Sequence, residues 1–240
     1  MVIQTLTGVV LVIAGYIIGS IPFGLLIVKA KTGKDIRQVE SGRTGGTNAV
    51  RAAGFGAGLL TALLDISKGT AAVLLAQAVL PENHLVHVLT PLATILGHNY
   101  SFFLIRRDPE GKLRFHGGAG GAPALGGAVG LWPWVFPIVF TGGALIWFTV
   151  GIASLTTMSI GLLVIIAFGI QIARGVMEPV NIWYGIIAEI FLLWALRPNI
   201  KKLLSGQERV VKFSLNGWLR ARKEKQAEAE KYDHRKFPRL

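Results

Sequence analysis

The sequence predicts an all-α polytopic membrane protein with seven transmembrane helices, its amino terminus outside and its carboxyl terminus in the cytoplasm. Three observations support this prediction. The 240 residues are 52% hydrophobic and 16% charged, and a mean hydropathy of +0.53 is too apolar for a soluble domain. Several apolar runs reach the roughly 20 residues that a helix needs to cross a bilayer. Basic residues are concentrated in three segments between these runs.

Hydropathy identifies six of the spans directly. They are the runs 3–28, 56–80, 85–105, 133–150, 152–173 and 179–196. Two of the connections, 29–51 and 106–114, are rich in Lys and Arg, and the tail from Arg197 holds thirteen more. The remaining connections carry almost no positive charge. By the positive-inside rule, the three basic segments are cytoplasmic.

Charge parity then requires one span that hydropathy does not show. Two cytoplasmic segments must be separated by an even number of spans, but three clear runs lie between 106–114 and the tail. The candidate for a fourth is the short, glycine-rich segment 117–131, which we expect as a half-buried helix packed inside the bundle. Tryptophans near the span ends are typical of aromatic belts at the membrane interface.

The composition excludes several kinds of site. The chain has no cysteine, so it forms neither a disulfide framework nor a thiolate metal site. Among the five histidines only His84 and His87 are three residues apart, and we interpret them as an interfacial pair. We therefore expect no metal and no cofactor. The basic residues that give the net charge of +12 lie beside apolar runs, which favours anionic lipid over nucleic acid as their partner. The start lacks the basic region of a signal peptide, so the first run is expected to remain as a span.

Two charged residues lie inside a predicted span. Asp65 and Lys68 are three residues apart and so share a helix face. An ionisable pair within a membrane indicates a functional site by default, and the alternative is a structural ion pair that holds the second span against a neighbour.

The first basic connection contains a segment suited to an anion. Residues 40–51 combine hydroxyl side chains, glycines and arginine, the groups that bind a phosphate oxyanion. No Gly-Lys-Ser/Thr follows at Walker spacing. A plain loop with Thr47 or Asn48 as a helix N-cap is the alternative interpretation.

Two further polar clusters fall on the same predicted face. The glycines at 117, 118, 120 and 121 open an apolar segment and could present N–H groups to an anion, or could simply allow close helix packing. Ser154, Thr156 and Thr157 begin the sixth span, although such hydroxyls can also bond the preceding turn. Clusters distant in sequence thus meet at one leaflet, where a site for an anionic, lipid-like substrate is expected.

The same residues resemble the bacterial acyl-phosphate:glycerol-3-phosphate acyltransferases (PlsY-type), in order from about residue 10 to 209. The matching residues are Gly19-Ser20-Ile21-Pro22-Phe23-Gly24, Ser41-Gly42, Gly45, Thr47-Asn48, Arg51, Leu64-Asp65, Lys68-Gly69, Gly97-His98, Tyr100, Gly117-Gly118, Gly120, Ala124-Leu125-Gly126, Ser154-Leu155, Asn199-Ile200, Leu203-Leu204-Ser205-Gly206 and Glu208. The resemblance implies seven spans, which agrees with the charge count, and transfer of an acyl group from acyl phosphate to the 1-hydroxyl of glycerol 3-phosphate. It also implies that no metal, coenzyme A or acyl carrier protein takes part.

The resemblance further implies roles for single residues. Ser41, Arg51 and Ser154 are the expected catalytic residues. The expected phosphate-binding and substrate-binding residues are Thr47, Asn48, His98, Gly117, Gly118, Gly120 and Asn199. The expected partners are acyl phosphate, glycerol 3-phosphate and membrane lipids, and the chain is expected to be a monomer in the cell inner (plasma) membrane with its site facing the cytoplasm.

The chain departs from the family pattern in three places. The glycine cluster of the family reads Gly-Gly-Lys-Gly, whereas this chain has Ala119 in place of the lysine, and it has Leu196 where the family tends to have a histidine. An insertion precedes the glycine cluster, and its Lys112, Arg114 or His116 could supply the missing charge. A homologue that has lost catalysis and binds a phospholipid precursor or a partner is the alternative function, and a small-solute transporter is a third.

The predicted domains are a membrane acyltransferase-like domain over 1–209 and a basic cytoplasmic tail over 210–240. The mixed Lys and Glu pattern of the tail suggests an amphipathic helix on the membrane surface, with a solvated tail as the alternative.

Overall fold

The structure is a computed structural model that describes residues 2–211 and 214–236, with the side chains of 227 and 229–236 excepted. The described residues form ten α-helices and one two-stranded hairpin. The helices are α1 (Val2–Ser20), α2 (Phe23–Thr32), α3 (Gly46–Ala53), α4 (Phe55–Val79), α5 (His84–Asn99), α6 (Gly121–Leu131), α7 (Val135–Thr149), α8 (Ala153–Ala173), α9 (Asn181–Leu204) and α10 (Leu215–Lys236). The strands are β1 (Arg106–Arg107) and β2 (Leu113–Arg114), which pair antiparallel. Single 3-10 turns occupy Ile36–Gln38 and Phe102–Leu104.

A proline interrupts the first apolar run. The predicted span 3–28 falls within the apolar helical segment Val2–Thr32, which is broken into two helices, since α1 ends at Ser20 and α2 starts at Phe23. Pro22 lacks an N–H group and disfavours helical backbone at Ile21, so the helix stops before it. The break leaves carbonyl groups at the end of α1 without helical partners.

Other predicted boundaries also moved. The run 85–105 is helical only to Asn99, after which the chain turns back along α1. The run 179–196 continues as α9 to Leu204 and contains Pro198, so this helix extends well past the predicted end.

The segment that parity required forms a helix. Its 11 residues, Gly121–Leu131, are about 16 Å long at 1.5 Å per residue, roughly half of the hydrocarbon thickness. α6 packs against α4, α5 and α8, with most of its residues buried. Glycines make this approach possible, since a Cβ on Gly126 would overlap the Ile66 carbonyl of α4, and Thr70 Oγ1 donates to the Gly126 carbonyl at 2.8 Å.

The core lies between α5, α6, α8 and α9. Phe168, Tyr184 and Leu192 are fully buried there, and the Tyr184 hydroxyl donates to the Ala124 carbonyl of α6 at 2.7 Å. By contrast, many large apolar side chains face outward along α1, α4, α7 and α8. Within the described part of the chain, three helical segments are long and apolar enough to cross a membrane, namely Val2–Thr32, α4 and α8. The chain is therefore a helical membrane protein.

The tail begins by docking on the connection between α7 and α8. The Val211 N–H donates to the Gly151 carbonyl at 2.8 Å, and Asn216 Nδ2 donates to the Val150 carbonyl at 3.1 Å. Just after this contact, α10 exposes the apolar side chains of Leu215, Trp218 and Leu219. The last four residues of the predicted tail, 237–240, lie outside the described residues.

Candidate active site

A cavity of about 230 Å³ lies where three separate segments meet. One wall is the connection between α2 and α3, the second is the end of α5 with the glycine cluster, and the third is α9. The lining residues are Ser41, Gly42, Arg43, Asn99, Tyr100, Phe115, His116, Gly117, Gly118, Ala195, Arg197 and Pro198. Two arginines and a histidine thus line it, and none of these residues is acidic.

Asn48 holds the first wall in shape. Its side-chain amide is buried and donates to the carbonyls of Ile36, Val39 and Arg43, at 3.1, 3.0 and 2.8 Å. The Ile36 and Val39 carbonyls also accept from the N–H groups of Val39 and Gly42, so the Asn48 amide adds to the bonds that hold this loop. The structure therefore gives Asn48 the task of folding the loop that carries Ser41 and Arg43, rather than a free amide for a ligand.

Arg43 is the charged residue at the centre of the site. Its Nη2 donates to the Ala195 carbonyl of α9 at 2.7 Å, which ties the first wall to the third. Burial lowers the pKa of its guanidinium, and the negative charge of Glu208 partly opposes that shift. The sequence analysis placed Arg43 in the basic loop but did not assign it to the site, because the family pattern contains Arg51 and not Arg43.

Glu208 joins two of the predicted site residues. Ser154 Oγ donates to Glu208 Oε1 at 2.7 Å, and Asn199 Nδ2 donates to the same oxygen at 2.9 Å. Ser154 begins α8 and is buried, and Asn199 lies in the last turns of α9. The Glu208 carboxylate thus joins the start of α8 to the end of α9, and its negative charge acts on Arg43. The sequence analysis gave Glu208 no role in the site, although this residue belongs to the terminal segment that resembles the family.

The glycine cluster has packing reasons for its composition. The Gly118 N–H donates to the His98 carbonyl at 2.9 Å, and the Thr44 N–H donates to the Gly117 carbonyl at 3.2 Å. A Cβ on Gly117 would overlap the carbonyls of His98 and Asn99. Gly120 caps α6 with φ +91, a conformation that favours glycine. Because the Gly118 N–H is already bonded, it is not one of the groups open to an anion.

Asp65 and Lys68 form a buried ion pair of 2.8 Å on α4. The Lys68 ammonium also donates to the carbonyls of Gly19 and Ile21, at 2.9 and 3.2 Å, which are the groups freed by the helix break. It lies 2.9 Å from His98 Nδ1 as well. An ammonium only donates, so we assign the acceptor role to Nδ1 and the proton to Nε2. His98 thus belongs to this buried cluster behind Gly118, and it does not line the cavity.

The insertion before the glycine cluster forms a small hairpin whose charges are mostly paired with one another. Lys112 bonds Glu110 and Arg114 bonds Asp108, each at 2.9 Å, and all four side chains lie in the hairpin. The Arg114 guanidinium and the Lys112 N–H lower the pKa of Asp108. Of the three insertion residues considered as a replacement charge, only His116 lines the cavity.

Comparison with known proteins identifies the family. The sequence profile described as "Glycerol-3-phosphate acyltransferase" matches residues 9–206. The chain belongs to this family. A glycerol-3-phosphate acyltransferase of Anaeromyxobacter sp. (strain Fw109-5) is 36% identical over 214 residues, covering 86% of this chain and 97% of the relative. That of Rubrobacter xylanophilus is 36% identical over 201 residues, covering 84% and 94%.

A solved structure supports the same family. The crystal structure of PlsY, an integral membrane glycerol 3-phosphate acyltransferase in its glycerol 3-phosphate form, superposes with a TM-score of 0.74. It is 32% identical and covers 85% of this chain and 96% of the other. The two chains thus share a fold over most of their length.

Seven of the ten site residues predicted from the family pattern do not line the cavity, namely Thr47, Asn48, Arg51, His98, Gly120, Ser154 and Asn199. Thr47 and Arg51 belong to α3, where both side chains are exposed, and neither lines the cavity. The catalytic assignment of Arg51 therefore stays a prediction, and Arg43 is the arginine of this loop that the fold carries to the other walls. Ser41 does line the cavity, and its Oγ accepts from the Arg43 N–H at 3.4 Å.

Proposed function

We propose that this glycerol-3-phosphate acyltransferase uses acyl phosphate as its donor and produces lysophosphatidic acid and phosphate. The 1-hydroxyl oxygen of glycerol 3-phosphate bonds the acyl carbon, and the bond from that carbon to the phosphate oxygen breaks. The departing phosphate takes the hydroxyl proton, so no protein base is needed. The rate then comes from positioning two anionic substrates and stabilising charge as it develops.

The observation that carries the proposal is the cavity with arginine and histidine and without a lining carboxylate. Both substrates carry phosphate, and arginine is suited to bind it through two parallel hydrogen bonds. Ser41 and Arg43 approach from one wall and the glycine cluster from another. Ser154 and Asn199 both donate to Glu208, whose negative charge acts on Arg43. The family-based assignments of Ser41, Ser154 and Arg51 to catalysis remain part of this proposal, as do those of the substrate-binding residues.

A phosphate-release assay tests the reaction. Purified protein in lipid should release phosphate from palmitoyl phosphate only when glycerol 3-phosphate is present. Ser41→Ala and Arg43→Ala should each lower turnover about 100-fold, the usual effect of removing one group that stabilises developing charge. Ser67→Ala is the matched control, because the Ser67 hydroxyl is exposed on α4 and bonds only its own helix at Leu63.

Arg51→Ala separates the two arginine assignments. A large loss in Arg51→Ala with normal turnover in Arg43→Ala would refute the site as built here. If the natural protein shows no turnover and Ala119→Lys restores it, the chain is a homologue that kept the scaffold and lost catalysis. Solute flux without acyl transfer would favour a transporter.

We further propose that the chain crosses the bacterial inner membrane seven times as a monomer, with the cavity on the cytoplasmic face. In this arrangement α1, α4, α5, α6, α7, α8 and α9 are the spans. The absence of cysteine allows single cysteines to report topology. The variants Lys34→Cys and Lys112→Cys should react with an impermeant thiol reagent only after the cells are opened, and Glu82→Cys should react in intact cells. Equal labelling of all three would contradict the orientation.

The domain over 1–209 and the tail over 210–240 complete this proposal, with α10 lying along the membrane surface. Leu215, Trp218 and Leu219 are at i, i+3 and i+4, so their exposed side chains share one face. Arg222 lies 5.6 Å from the Trp218 ring. A peptide of residues 214–236 should show a blue-shifted Trp218 emission with vesicles containing anionic lipid, and Trp218 is the one tryptophan of that peptide. No shift would favour a solvated tail.

A further inference from the structure

Two polar side chains on the cavity wall have no role in holding the fold. Asn99 is buried, with 6% of its surface exposed, and neither its Nδ2 nor its Oδ1 has a hydrogen-bond partner among the described residues. His116 lines the same cavity, and its Nδ1 is likewise buried without a partner in the described part of the chain. Native proteins rarely leave such groups unpaired, so each one needs an explanation.

The backbone around both side chains is fixed. The Ser101 N–H donates to the His116 carbonyl at 3.1 Å, and the Gly118 N–H donates to the His98 carbonyl at 2.9 Å. These two bonds tie the residues on either side of Asn99 to the start of the glycine cluster. Gly120 also approaches closely, because a Cβ there would meet Asn99 Oδ1 at 2.8 Å. Both side chains thus line the cavity from backbone that these bonds hold in place.

The surrounding charges define the ligand. Arg43, Arg197, Tyr100 and His116 are the charged or titratable groups that line the cavity. Lys112 pairs with Glu110 and Arg114 pairs with Asp108 inside the hairpin, so these four residues add no net charge to the cavity. A site with positive groups, unpaired amide donors and no lining acid fits a phosphate group.

We propose that Asn99 and His116 bind the phosphate of a substrate together with Arg43, with His116 supplying the charge that Ala119 does not. This inference rests on the proposed function, since it assigns the phosphate contacts of the same site. Asn99 donates its amide N–H groups, and protonated His116 donates from its ring. Because histidine changes charge between about pH 5 and pH 8, the phosphate affinity of this protein depends on pH in a range where a lysine would stay charged.

Binding measured without turnover tests the proposal independently of the reaction. The purified protein in detergent is titrated with glycerol 3-phosphate and with inorganic phosphate, by calorimetry, at pH 6 and pH 8. His116→Gln should weaken binding at pH 6 about 10-fold, as expected for loss of one charge-assisted hydrogen bond. His116→Lys should bind at pH 8 as tightly as at pH 6. His84→Gln is the matched control, because His84 is exposed and lines a different cavity.

The ligand also titrates, so the pH effect is read as a ratio. The ratio of affinities between the natural protein and His116→Gln isolates His116, because the phosphate monoester is common to both. A ratio that falls toward one at pH 8 supports the proposal. A ratio of one at both pH values overturns it.

Asn99→Leu gives a second, independent measurement. Leucine is close in size and removes both unpaired atoms, so a purely structural role predicts unchanged phosphate affinity with equal or greater thermal stability. The proposal predicts equal or greater thermal stability together with roughly 10-fold weaker binding. Normal affinity in this variant overturns the role of Asn99. If phosphate binding depends on His116 and Asn99 but no acyl transfer occurs, the inference stands and the proposed function fails.

Discussion

Lys68→Met is the most informative test of how the membrane domain is held together. Lys68 is 4% exposed, and its three ammonium N–H groups are shared among Asp65, two carbonyls at the α1–α2 break, and His98. Methionine keeps most of the volume of the side chain and removes every one of these interactions. Asp65 is then left as a buried charge, and the carbonyls of Gly19 and Ile21 lose their donor.

The size of the effect follows from these contacts. Removing one partner of a buried ion pair costs about 3–5 kcal/mol, because the other charge is left uncompensated. For a chain of this length each kcal/mol shifts the melting temperature by roughly 2–4 °C, so the expected decrease is roughly 6–20 °C. Tryptophan fluorescence during heating in detergent measures it, since the chain has six tryptophans.

Two variants complete the Lys68 experiment. Asp65→Leu/Lys68→Met removes both charges, so it should recover part of the loss and leave only the cost of the acceptors that lose the ammonium as a donor. Ser67→Ala should melt within about 2 °C of the natural protein, as surface changes usually do. A Lys68→Met protein that melts like Ser67→Ala, or a double variant less stable than the single one, would refute the role given to this pair.

Three further outcomes are expected. Gly126→Leu should prevent α6 from packing on Ile66 of α4, giving little folded protein by size-exclusion chromatography, whereas Gly56→Ala, on α4 with no neighbouring atom within 4 Å of the added Cβ, should fold. Glu208→Gln should weaken the hold on Ser154 and Asn199, lowering the melting temperature by several degrees, since a hydrogen bond to a charged group contributes about 1.5–3 kcal/mol. Arg37 lowers the pKa of Asp35 from 3.8 to about 2, so the contribution of this pair to stability is complete above pH 4 and is lost as pH falls toward 2. Asp35→Asn should remove that part of the acid dependence when the melting temperature is measured against pH. The same acid dependence in Asp35→Asn and the natural protein would contradict this role of the pair.

Charge and hydropathy predicted the helical membrane architecture because each acts over whole segments. The positions of Lys and Arg placed a helix at 117–131 that its own hydropathy does not reveal, and α6 occupies 121–131 of that segment. The packing of α6 explains why hydropathy missed it. A helix covered by α4, α5 and α8 contacts little lipid, so it can be short and rich in glycine.

The details of the site depend on contacts between distant segments, which no local pattern encodes. The family pattern contains Arg51 and not Arg43, and the bond from Arg43 to the Ala195 carbonyl, 152 residues away, is visible only in the fold. Asn48 has the composition of a phosphate ligand, yet its amide is used by three loop carbonyls. From the sequence, Lys68 could be either a site residue or a structural residue. The fold shows that it bonds the carbonyls exposed by the helix break before Pro22.

The electrostatics of Arg43 explain why the cavity should attract an anion even without a lysine at 119. Burial lowers the pKa of Arg43, which means that the folded protein holds this guanidinium at a cost that Glu208 only partly offsets. A guanidinium has five N–H donors, and the Ala195 carbonyl accepts from one nitrogen. A phosphate entering the cavity supplies the compensating charge and acceptors, and the surrounding loop, fixed by Asn48, need not rearrange to receive it. Binding energy is then gained from a charge that was already placed and poorly solvated, which is the arrangement that stabilises a phosphate leaving group.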